Sequence, residues 1–224
     1  MRSPLVRAYR DTTITTDEVQ TWHSMFWRAP TAGWNWGGYD VVMATRLTKV
    51  YRRAVEIIEV AKGATTLAVD WNATTPGAMY TRTISSVNTA ISTHPSAPAG
   101  ARIRPWIIWI QGESDAANGT YANAYGANLA AFIAALRANI TDFSAAQVMI
   151  VKLHPNCAIS GSTPTTVATI RTAQQAFCDT PANNAYAIET STVEHHVDLV
   201  HYTEAGHITL GNLVTDELFA RTAA

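Results

Sequence analysis

Near its carboxyl end the chain carries an aspartate and a histidine three residues apart, Asp198 and His201. When both lie on a turn, the carboxylate can accept the Nδ1 proton of the imidazole, which fixes the tautomer and leaves Nε2 free as a base. A base and the acid that orients it are two members of a hydrolytic triad. The spacing therefore predicts hydrolysis, and the third member, a nucleophile, must come from elsewhere.

Two other interpretations of these residues remain open. Asp198 and His201 could form an ion pair at the surface, close to the start of the last helix. Four histidines could also bind zinc together with Asp198, namely His195, His196, His201 and His207. Adjacent side chains in an extended segment diverge, so the first two histidines are poorly suited to share one ion. We favour the catalytic interpretation and expect neither a metal ion nor a cofactor.

Composition indicates one compact domain over residues 1–224. Hydrophobic residues make up 47% of the chain, which is enough for a core, and no linker or repeat divides it. The formal net charge is −1, so we expect no nucleic acid and no membrane as a partner. No apolar run approaches the roughly 20 residues of a membrane span, and the first residues do not resemble a signal peptide. This charge fits a neutral or sugar-like substrate, whereas the sequence indicates neither oligomeric state nor cellular location.

Helix and strand patterns alternate along most of the chain. Apolar runs predict strands at residues 55–60, 104–110, 147–153 and 185–189. Helical spacing predicts helices at residues 39–53, 81–93, 121–140, 165–177 and 205–221. Such alternation is typical of an α/β fold, a three-layer α/β/α sandwich with a mostly parallel central sheet. The first forty residues are predicted to be irregular, with a short strand possible at residues 5–9.

Polar residues or glycine follow three of the predicted strands. The first strand leads to Gly63, whose backbone N–H is unhindered, and the second leads to Gln111 and Glu113. The fourth leads to the turn of Asp198 and His201. Because ligands bind outside the carboxyl ends of parallel strands, we expect these three groups to meet at one edge. The glutamine and glutamate could alternatively serve only as caps of the following helix.

Three blocks of sequence contain these candidate residues. They are Lys62-Gly63-Ala64-Thr65-Thr66-Leu67 with Asp70-Trp71, then Trp109-Ile110-Gln111-Gly112-Glu113-Ser114-Asp115, then Asp198-Leu199-Val200-His201-Tyr202. Over roughly residues 38–219, the chain resembles the sialate O-acetylesterase and acetylxylan esterase branch of the SGNH hydrolases, similar to carbohydrate esterase family 6. One Gln-Gly-Glu motif alone would be weak support, but three ordered blocks ending in Asp-x-x-His are specific.

The resemblance implies a carbohydrate O-acetylesterase with an SGNH or flavodoxin-like sandwich fold. His201 would be the general base and Asp198 would orient it, while Gly63 and Gln111 would donate hydrogen bonds to the oxyanion. Two acidic residues would support this site, Glu113 and Asp115. The partner of such an enzyme would be an acetylated carbohydrate or a small ester.

The nucleophile is where the chain departs from this family. Members begin with a strand that ends in Gly-Gln-Ser-Asn, whose serine attacks the ester, and the chain contains no such tetrapeptide. Ser3 and Ser24 are the only serines before Gly63, and neither follows an apolar strand. A segment upstream of Met1 could supply the strand and the serine, which is our favoured expectation and would make this chain alone a poor esterase. Alternatively, the N-terminal residues form the strand themselves, or another chain donates it.

Three functions are compatible with these observations. The first is the O-acetylesterase, which we favour because of the three ordered blocks. The second is a catalytically impaired glycan-binding module of a viral tail or surface protein that has lost the nucleophile. The third is a broader SGNH esterase or thioesterase. Fold alone does not choose among them.

Cysteine content allows one intramolecular disulfide at most, between Cys157 and Cys178. The first falls in a predicted loop and the second near the end of a predicted helix. This spacing permits a bond without requiring one, so the sequence leaves the pairing open. Neither cysteine lies in a motif typical of a nucleophile or a metal ligand.

Overall fold

The structure is a computed structural model that describes residues 6–10, 21–24, 38–51, 55–93 and 104–222, with the backbone alone in the first two ranges. The chain forms two compact units that interleave along the sequence. The first unit comprises Met1–Ala61, Val193–His196 and His201–Ala224, and the second comprises Lys62–Thr192 and Val197–Val200. The single domain expected over residues 1–224 stays a prediction.

Strands and helices alternate in the described ranges. The strands are β1 Val6–Arg10, β2 Thr21–Ser24, β3 Val55–Glu59, β4 Trp106–Ile110, β5 Gln147–Val151 and β6 Ala185–Ile188. The helices are α1 Tyr39–Tyr51, α2 Ala78–Ser92, α3 Glu113–Ala116, α4 Gly119–Asn139, α5 Pro164–Asp179 and α6 Glu204–Thr222, with a 3₁₀ turn at Pro181–Asn183. Within these ranges, no helix has the length and apolar character needed to cross a membrane.

The predicted α/β fold is confirmed. Every helix and strand predicted after residue 38 is present, and the short strand expected near the N-terminus is β1. Two short elements were not predicted, the strand β2 and the helix α3. Each has four residues, too few for a periodic hydrophobic pattern to emerge.

The second unit is built on a wholly parallel sheet in the order β4-β5-β6. Its central strand β5 is apolar at four consecutive positions, and all four are at most 1% exposed: Val148, Met149, Ile150 and Val151. A parallel strand with neighbours on both sides and cover on both faces needs such a continuous apolar run. The core of this unit therefore forms around β5.

The two long helices of the second unit begin at defined caps. The Asn118 side chain accepts hydrogen bonds from the first turn of α4, and Thr163 forms a capping box with Thr166 at the start of α5. The helices pack closely where Gly126 faces Ala173. A Cβ added to the glycine would lie only 3.3 Å from the Ala173 Cβ. This close packing fixes α5 over the sheet.

The first unit contains the second three-stranded sheet and two helices. β1 pairs in parallel with β3 and antiparallel with β2, so the order is β2-β1-β3. The helices α1 and α6 pack together at Gly211, where a Cβ would collide with Val42 and with the carbonyl oxygen of Tyr39. Only glycine therefore permits this approach of the two helices.

Candidate active site

Gly63 lies in a loop of the second unit, residues 62–67, which we call the Gly63 loop. Thr65 Oγ1 donates to the carbonyl oxygen of Lys62 at 2.8 Å, and Trp71 Nε1 donates to Thr65 Oγ1 at 2.9 Å. Ala64 adopts a left-handed conformation with φ of 57°, which is uncommon for a residue other than glycine. Gly63 is exposed, and in the part of the chain that the structure describes, no atom beyond its chain neighbours lies within 4 Å of where a Cβ would stand. The loop is thus held from one side and open on the other.

A turn at residues 66–71 connects the Gly63 loop to α2. Asp70 Oδ2 accepts from the backbone N–H of Thr66 at 2.8 Å, and the Thr66 carbonyl accepts from the N–H of Asp70 at 2.9 Å. The Asp70 carbonyl then accepts from the N–H of Met79 in α2 at 2.9 Å. Gly77 passes so close to the turn that a Cβ would collide with the Asp70 carbonyl oxygen. The turn therefore fixes where the loop ends.

Asp115 is a fully buried carboxylate, 0% exposed, in α3 directly after β4. It accepts three hydrogen bonds: from the backbone N–H of Leu67 at 2.8 Å, from that of Ala68 at 3.1 Å and from Gln111 Nε2 at 2.6 Å. Burial raises the pKa of Asp115, and these hydrogen bonds counteract part of that effect. The carboxylate thus joins the end of β4 to the end of the Gly63 loop.

The side chain of Gln111 is 8% exposed and uses its amide nitrogen twice. Nε2 donates to the Thr65 carbonyl oxygen at 3.1 Å and to Asp115 Oδ2 at 2.6 Å. Its Oε1 accepts no hydrogen bond from the described residues. The amide nitrogen carries two protons, and each already forms one of these hydrogen bonds. A hydrogen bond from Nε2 to an oxyanion must therefore share a proton with one of the two bonds or replace that bond. The role of Gln111 as an oxyanion donor therefore stays a prediction.

The backbone after β4 is held by two polar side chains that sequence patterns did not predict. Tyr125 Oη and Gln174 Nε2 both donate to the Gln111 carbonyl oxygen, at 2.9 and 3.1 Å, and Gln174 Oε1 accepts from the N–H of Leu153 at 2.8 Å. Both are 0% exposed. The only available signal was a polar residue on the apolar face of each helix, at Tyr125 in α4 and at Gln174 in α5. This network locks the ends of β4 and β5 together.

Gly112 separates Gln111 from α3 and has a φ of 147°, which strongly favours glycine. A Cβ there would also approach Ile170 Cγ2 at 3.1 Å. The sharp change of direction starts α3 at Glu113, which is only partly exposed. The structure thus brings Gln111, Glu113 and the Gly63 loop into one unit, as part of the predicted site.

Both cysteines are free thiols in the structure. Burial raises the pKa of Cys157 to about 11, and the carboxylate of Glu113 adds to this effect. Burial and the neighbouring Asp179 raise the pKa of Cys178 to about 12. Because the thiolate is the reactive form, these thiols are weak nucleophiles at neutral pH. Neither cysteine is therefore a candidate for the nucleophile that the sequence lacks.

Asp198 lies on an exposed turn of the second unit. Its Oδ1 accepts from the backbone N–H of Val200 at 2.9 Å, a side-chain hydrogen bond that stabilises the turn. Leu199 adopts a left-handed conformation with φ of 56°, and its carbonyl oxygen accepts from the N–H of Ala158 at 3.3 Å. The aspartate thus lies on a turn rather than in a helix, which the predicted role requires.

His201 belongs to the first unit, where it forms the stem of a short hairpin. Its carbonyl oxygen accepts from the N–H of His196 at 2.8 Å, and the N–H of Thr203 donates to the Glu194 carbonyl oxygen at 3.1 Å. Thr203 Oγ1 then accepts from the N–H of Gly206 at 3.0 Å and caps α6. His201 is exposed and is anchored two residues before this cap. The hydrogen bond between Asp198 and His201 stays a prediction.

Two other histidines of this segment, His195 and His207, pack around one tyrosine. The ring centroids of His195 and Tyr202 are 4.7 Å apart, and those of Tyr202 and His207 are 5.9 Å apart. Burial lowers the pKa of His207, which favours its neutral form. Within the described ranges, no three His, Cys, Asp or Glu side chains form a group that could hold a metal ion.

Of the two candidate nucleophiles, only Ser24 falls within the described residues. It pairs with Arg7 of β1, whereas Thr21 pairs with Arg10, the last residue of β1. Since β1 and β3 are parallel, Ser24 lies three residues from their carboxyl edge, a distance of about 10 Å. This register argues against Ser24 as the nucleophile.

The N-terminal residues supply β3 with a parallel neighbour, which was one of the three explanations left open by the sequence. β1 pairs with β3 from Val6 opposite Val55 to Arg10 opposite Glu59. The next ten residues, 11–20, contain four threonines and no serine, and they lie outside the described residues. β1 therefore provides a strand, while the nucleophile is still unassigned.

Comparison with known proteins gives one family and several structures. The family model described as "Carbohydrate esterase, sialic acid-specific acetylesterase" matches residues 29–220. No curated protein sequence matches the chain significantly.

The similar structures share the fold at low sequence identity. A protein from Arabidopsis thaliana has a TM-score of 0.71 at 18% identity, over 95% of this chain and 80% of that one. A carbohydrate acetylesterase from Xanthomonas citri has a TM-score of 0.63 at 17% identity, over 94% of this chain and 47% of that one. A carbohydrate acetylesterase from Sinorhizobium meliloti has a TM-score of 0.55 at 17% identity, over 86% and 90%. At these identities the likeness shows the fold alone.

Proposed function

The chain belongs to the carbohydrate esterase family of sialic acid-specific acetylesterases, and we propose that it removes acetyl groups from O-acetylated sugars with the residues described above. It is a carboxylic ester hydrolase by family. The proposed substrate is an acetyl ester on a carbohydrate, in keeping with the family.

The proposed reaction passes through an acetyl-enzyme. A hydroxyl nucleophile attacks the acetyl carbonyl carbon while His201 Nε2 takes its proton, and the tetrahedral intermediate expels the sugar oxygen, which receives that proton. Water then attacks the acetyl-enzyme, again giving its proton to His201. The second tetrahedral intermediate releases acetic acid, which ionises to acetate in solution, and His201 returns its proton to the oxygen of the nucleophile. Asp198 orients the imidazole and stabilises its protonated form.

We propose that two hydrogen-bond donors of the second unit stabilise the negative charge that develops on the carbonyl oxygen. The backbone N–H of Gly63 is the first donor, because Gly63 is exposed and no side chain or backbone atom of the described residues crowds its Cα on the Cβ side. The Gln111 amide is the second donor. The N–H that bonds to the Thr65 carbonyl oxygen at 3.1 Å, the longer of its two hydrogen bonds, is the one that also donates to the oxyanion. Glu113 supports the same end of β4.

The observation that carries this proposal is the way in which a buried carboxylate and amide hold the Gly63 loop. Burying Asp115 costs free energy unless the charge is well hydrogen-bonded, and it accepts three hydrogen bonds here. A buried and fully hydrogen-bonded carboxylate at the carboxyl end of a parallel strand is typical of a site that must keep donors in fixed positions.

A substrate panel tests the proposed function. We expect the full-length protein to release acetate from O-acetylated sialic acid or acetylated xylan, and to hydrolyse butyryl esters of the same alcohols more slowly. Binding of the acetylated sugar without acetate release would instead support the impaired glycan-binding module. Equal rates on acetyl and butyryl esters would support a broader esterase.

Covalent labelling tests the identity of the nucleophile. A fluorophosphonate reacts with an activated serine hydroxyl, so peptide mass mapping after labelling locates it. We expect the label outside the described residues, with Ser3 as the candidate in this sequence. Labelling of Ser24 that disappears in Ser24→Ala would contradict the argument from the β1–β2 register.

A further inference from the structure

Asp115 occupies an unusual position, because one carboxylate contacts both the Gln111 amide and the backbone where the Gly63 loop ends. Through Oδ2 it accepts from Gln111 Nε2 at 2.6 Å and from the Leu67 N–H at 2.8 Å. Through Oδ1 it accepts from the Ala68 N–H at 3.1 Å. Gln111 Nε2 in turn donates a hydrogen bond to the Thr65 carbonyl oxygen, within the same loop. The Gly63 loop and the amide are therefore positioned by the same side chain.

The hydrogen bonds also define which way the Gln111 amide faces. An amide oxygen next to a carboxylate oxygen would be repelled, so a charged Asp115 requires that Nε2 rather than Oε1 point towards it. The same orientation directs the second N–H to the Thr65 carbonyl, at the base of the loop. Loss of the charge at Asp115 removes the reason for this orientation.

We propose that Asp115 is a positioning residue for ester hydrolysis, which holds the Gly63 loop and the Gln111 amide in the geometry that receives the oxyanion. This inference rests on the proposed function. Asp115 acts through these two groups, because it is itself fully buried and is not offered to the substrate.

Asp115→Asn is the informative change, because asparagine has the same shape but only one acceptor oxygen. Its Nδ2 faces N–H groups that themselves need an acceptor, so one or two of the three hydrogen bonds are lost. If the asparagine nitrogen takes the position of Oδ2, the Gln111 amide can restore its bond only by turning Oε1 towards residue 115. That movement withdraws its N–H from the oxyanion, while the fold keeps its packing.

Kinetics of the full-length protein test the proposal against a matched control. We expect Asp115→Asn to lower kcat for p-nitrophenyl acetate by about 10- to 100-fold with little change in KM. Arg137→Gln is the control, since Arg137 donates hydrogen bonds to the carbonyls of Ala146 and Asn183 at the opposite edge of the same sheet. It should lower the melting temperature and leave kcat unchanged. If Asp115→Asn also loses only melting temperature, the proposal is overturned.

A double variant separates positioning from independent contributions. Because Asp115 acts partly through Gln111, the combined variant Asp115→Asn with Gln111→Ala should lose clearly less kcat than the product of the two single losses. Fully multiplicative losses would show that the carboxylate does not act through the amide.

Amide hydrogen exchange gives a readout that does not depend on activity. The N–H groups of Leu67 and Ala68 should exchange at least 10-fold faster in Asp115→Asn than in the wild type, and should be unchanged in Arg137→Gln. Unchanged exchange at both positions would overturn the positioning role even if the enzyme is active. If the wild type shows no ester hydrolysis, the proposed function fails, and faster exchange still supports Asp115 as the residue that holds the loop.

Discussion

The two edges of the parallel sheet in the second unit are both polar, but they are polar in different ways. At the amino edge, the Arg137 guanidinium donates to the carbonyl oxygens of Ala146 and Asn183, at 2.8 and 2.6 Å, just before β5 and β6. At the carboxyl edge, the buried Asp115 accepts from backbone N–H groups and from the Gln111 amide. One edge uses a cation to satisfy carbonyls, and the other uses a buried anion to hold donors.

This difference shows which edge is suited to chemistry. An arginine bound to terminal carbonyls satisfies groups that every strand or helix end leaves exposed, and it can do so in any fold. The carboxyl edge instead combines three features: the left-handed conformation of Ala64, a positive φ at Gly112 that favours glycine, and the Asp115 carboxylate, whose pKa is raised by burial. Such features cost stability and are found where loop geometry matters for function.

The largest effect is expected from removal of the base. In the full-length protein, His201→Ala should lower kcat for an acetyl ester by about 10⁴-fold or more, because no other group takes the proton of the nucleophile. His196→Ala is the matched control, since its backbone N–H bonds to His201 whereas its side chain has no assigned role. Equal losses in the two variants would remove the catalytic assignment of His201.

Removal of the charge at Asp198 should have the next largest effect. Asp198→Asn keeps the oxygen that accepts from the Val200 N–H, so the turn persists while the charge proposed to orient the imidazole is removed. We expect a loss of about 10²–10⁴ in kcat, measured on acetyl esters at saturating substrate. A variant with wild-type kcat would show that Asp198 only stabilises the turn.

The two edges can be compared directly through a pair of glutamines. Gln111→Ala at the carboxyl edge should lower kcat by about 10²-fold and change KM much less, because we propose that its amide donates to the oxyanion in the transition state. Gln147→Ala at the amino end of β5, where Nε2 donates to Tyr186 Oη at 3.3 Å, should leave kcat unchanged. An unchanged kcat in Gln111→Ala would make that residue purely structural.

The amino edge should respond in stability alone. Arg137→Gln removes charge-assisted hydrogen bonds to two carbonyls, and we expect a loss of about 1–3 kcal/mol in the free energy of unfolding. For a chain of this size that corresponds to a melting temperature lower by roughly 2–4 °C per kcal/mol. Calorimetry measures the shift, and a fall in kcat per folded molecule would contradict the division between the edges.

The smallest effect is expected at Glu189, which follows β6 and is half exposed. Burial alone would raise its pKa, but hydrogen bonds from Arg171 and Lys152 lower the pKa to about 2. A depressed carboxyl pKa stabilises the fold above about pH 4.5, and this contribution is lost as the pH falls towards about 2. Solvent screening keeps it below about 1 kcal/mol. The melting-temperature difference between wild type and Glu189→Gln should therefore shrink over this pH range.

Much of the second unit was predictable because its signals are local. The continuous apolar run of β5 and the helical spacing of α5 are visible in short windows, and polar residues directly after β4 indicated Gln111 and Glu113. The contacts of Gln174 were not predictable, because its partner carbonyl lies 63 residues away in the chain. A buried glutamine on an apolar helix face only signals that some partner exists.

The first unit was harder to predict for a related reason. β2 has four residues, which are too few for a periodic pattern to mark the strand or its pairing with β1. In the second unit, the left-handed conformations of Ala64 and Leu199 could not be predicted either, since neither residue type favours them. Both conformations arise from the hydrogen bonds of their loops rather than from the residue itself.

Acetate release from O-acetylated sialic acid tests the central claim most directly. It should be measured per folded molecule for the full-length wild type, for His201→Ala and for Arg137→Gln. The account predicts equal release by the wild type and Arg137→Gln, and none above background by His201→Ala. Binding of the acetylated sugar by the wild type without any acetate, or release by His201→Ala at the wild-type rate, would contradict it.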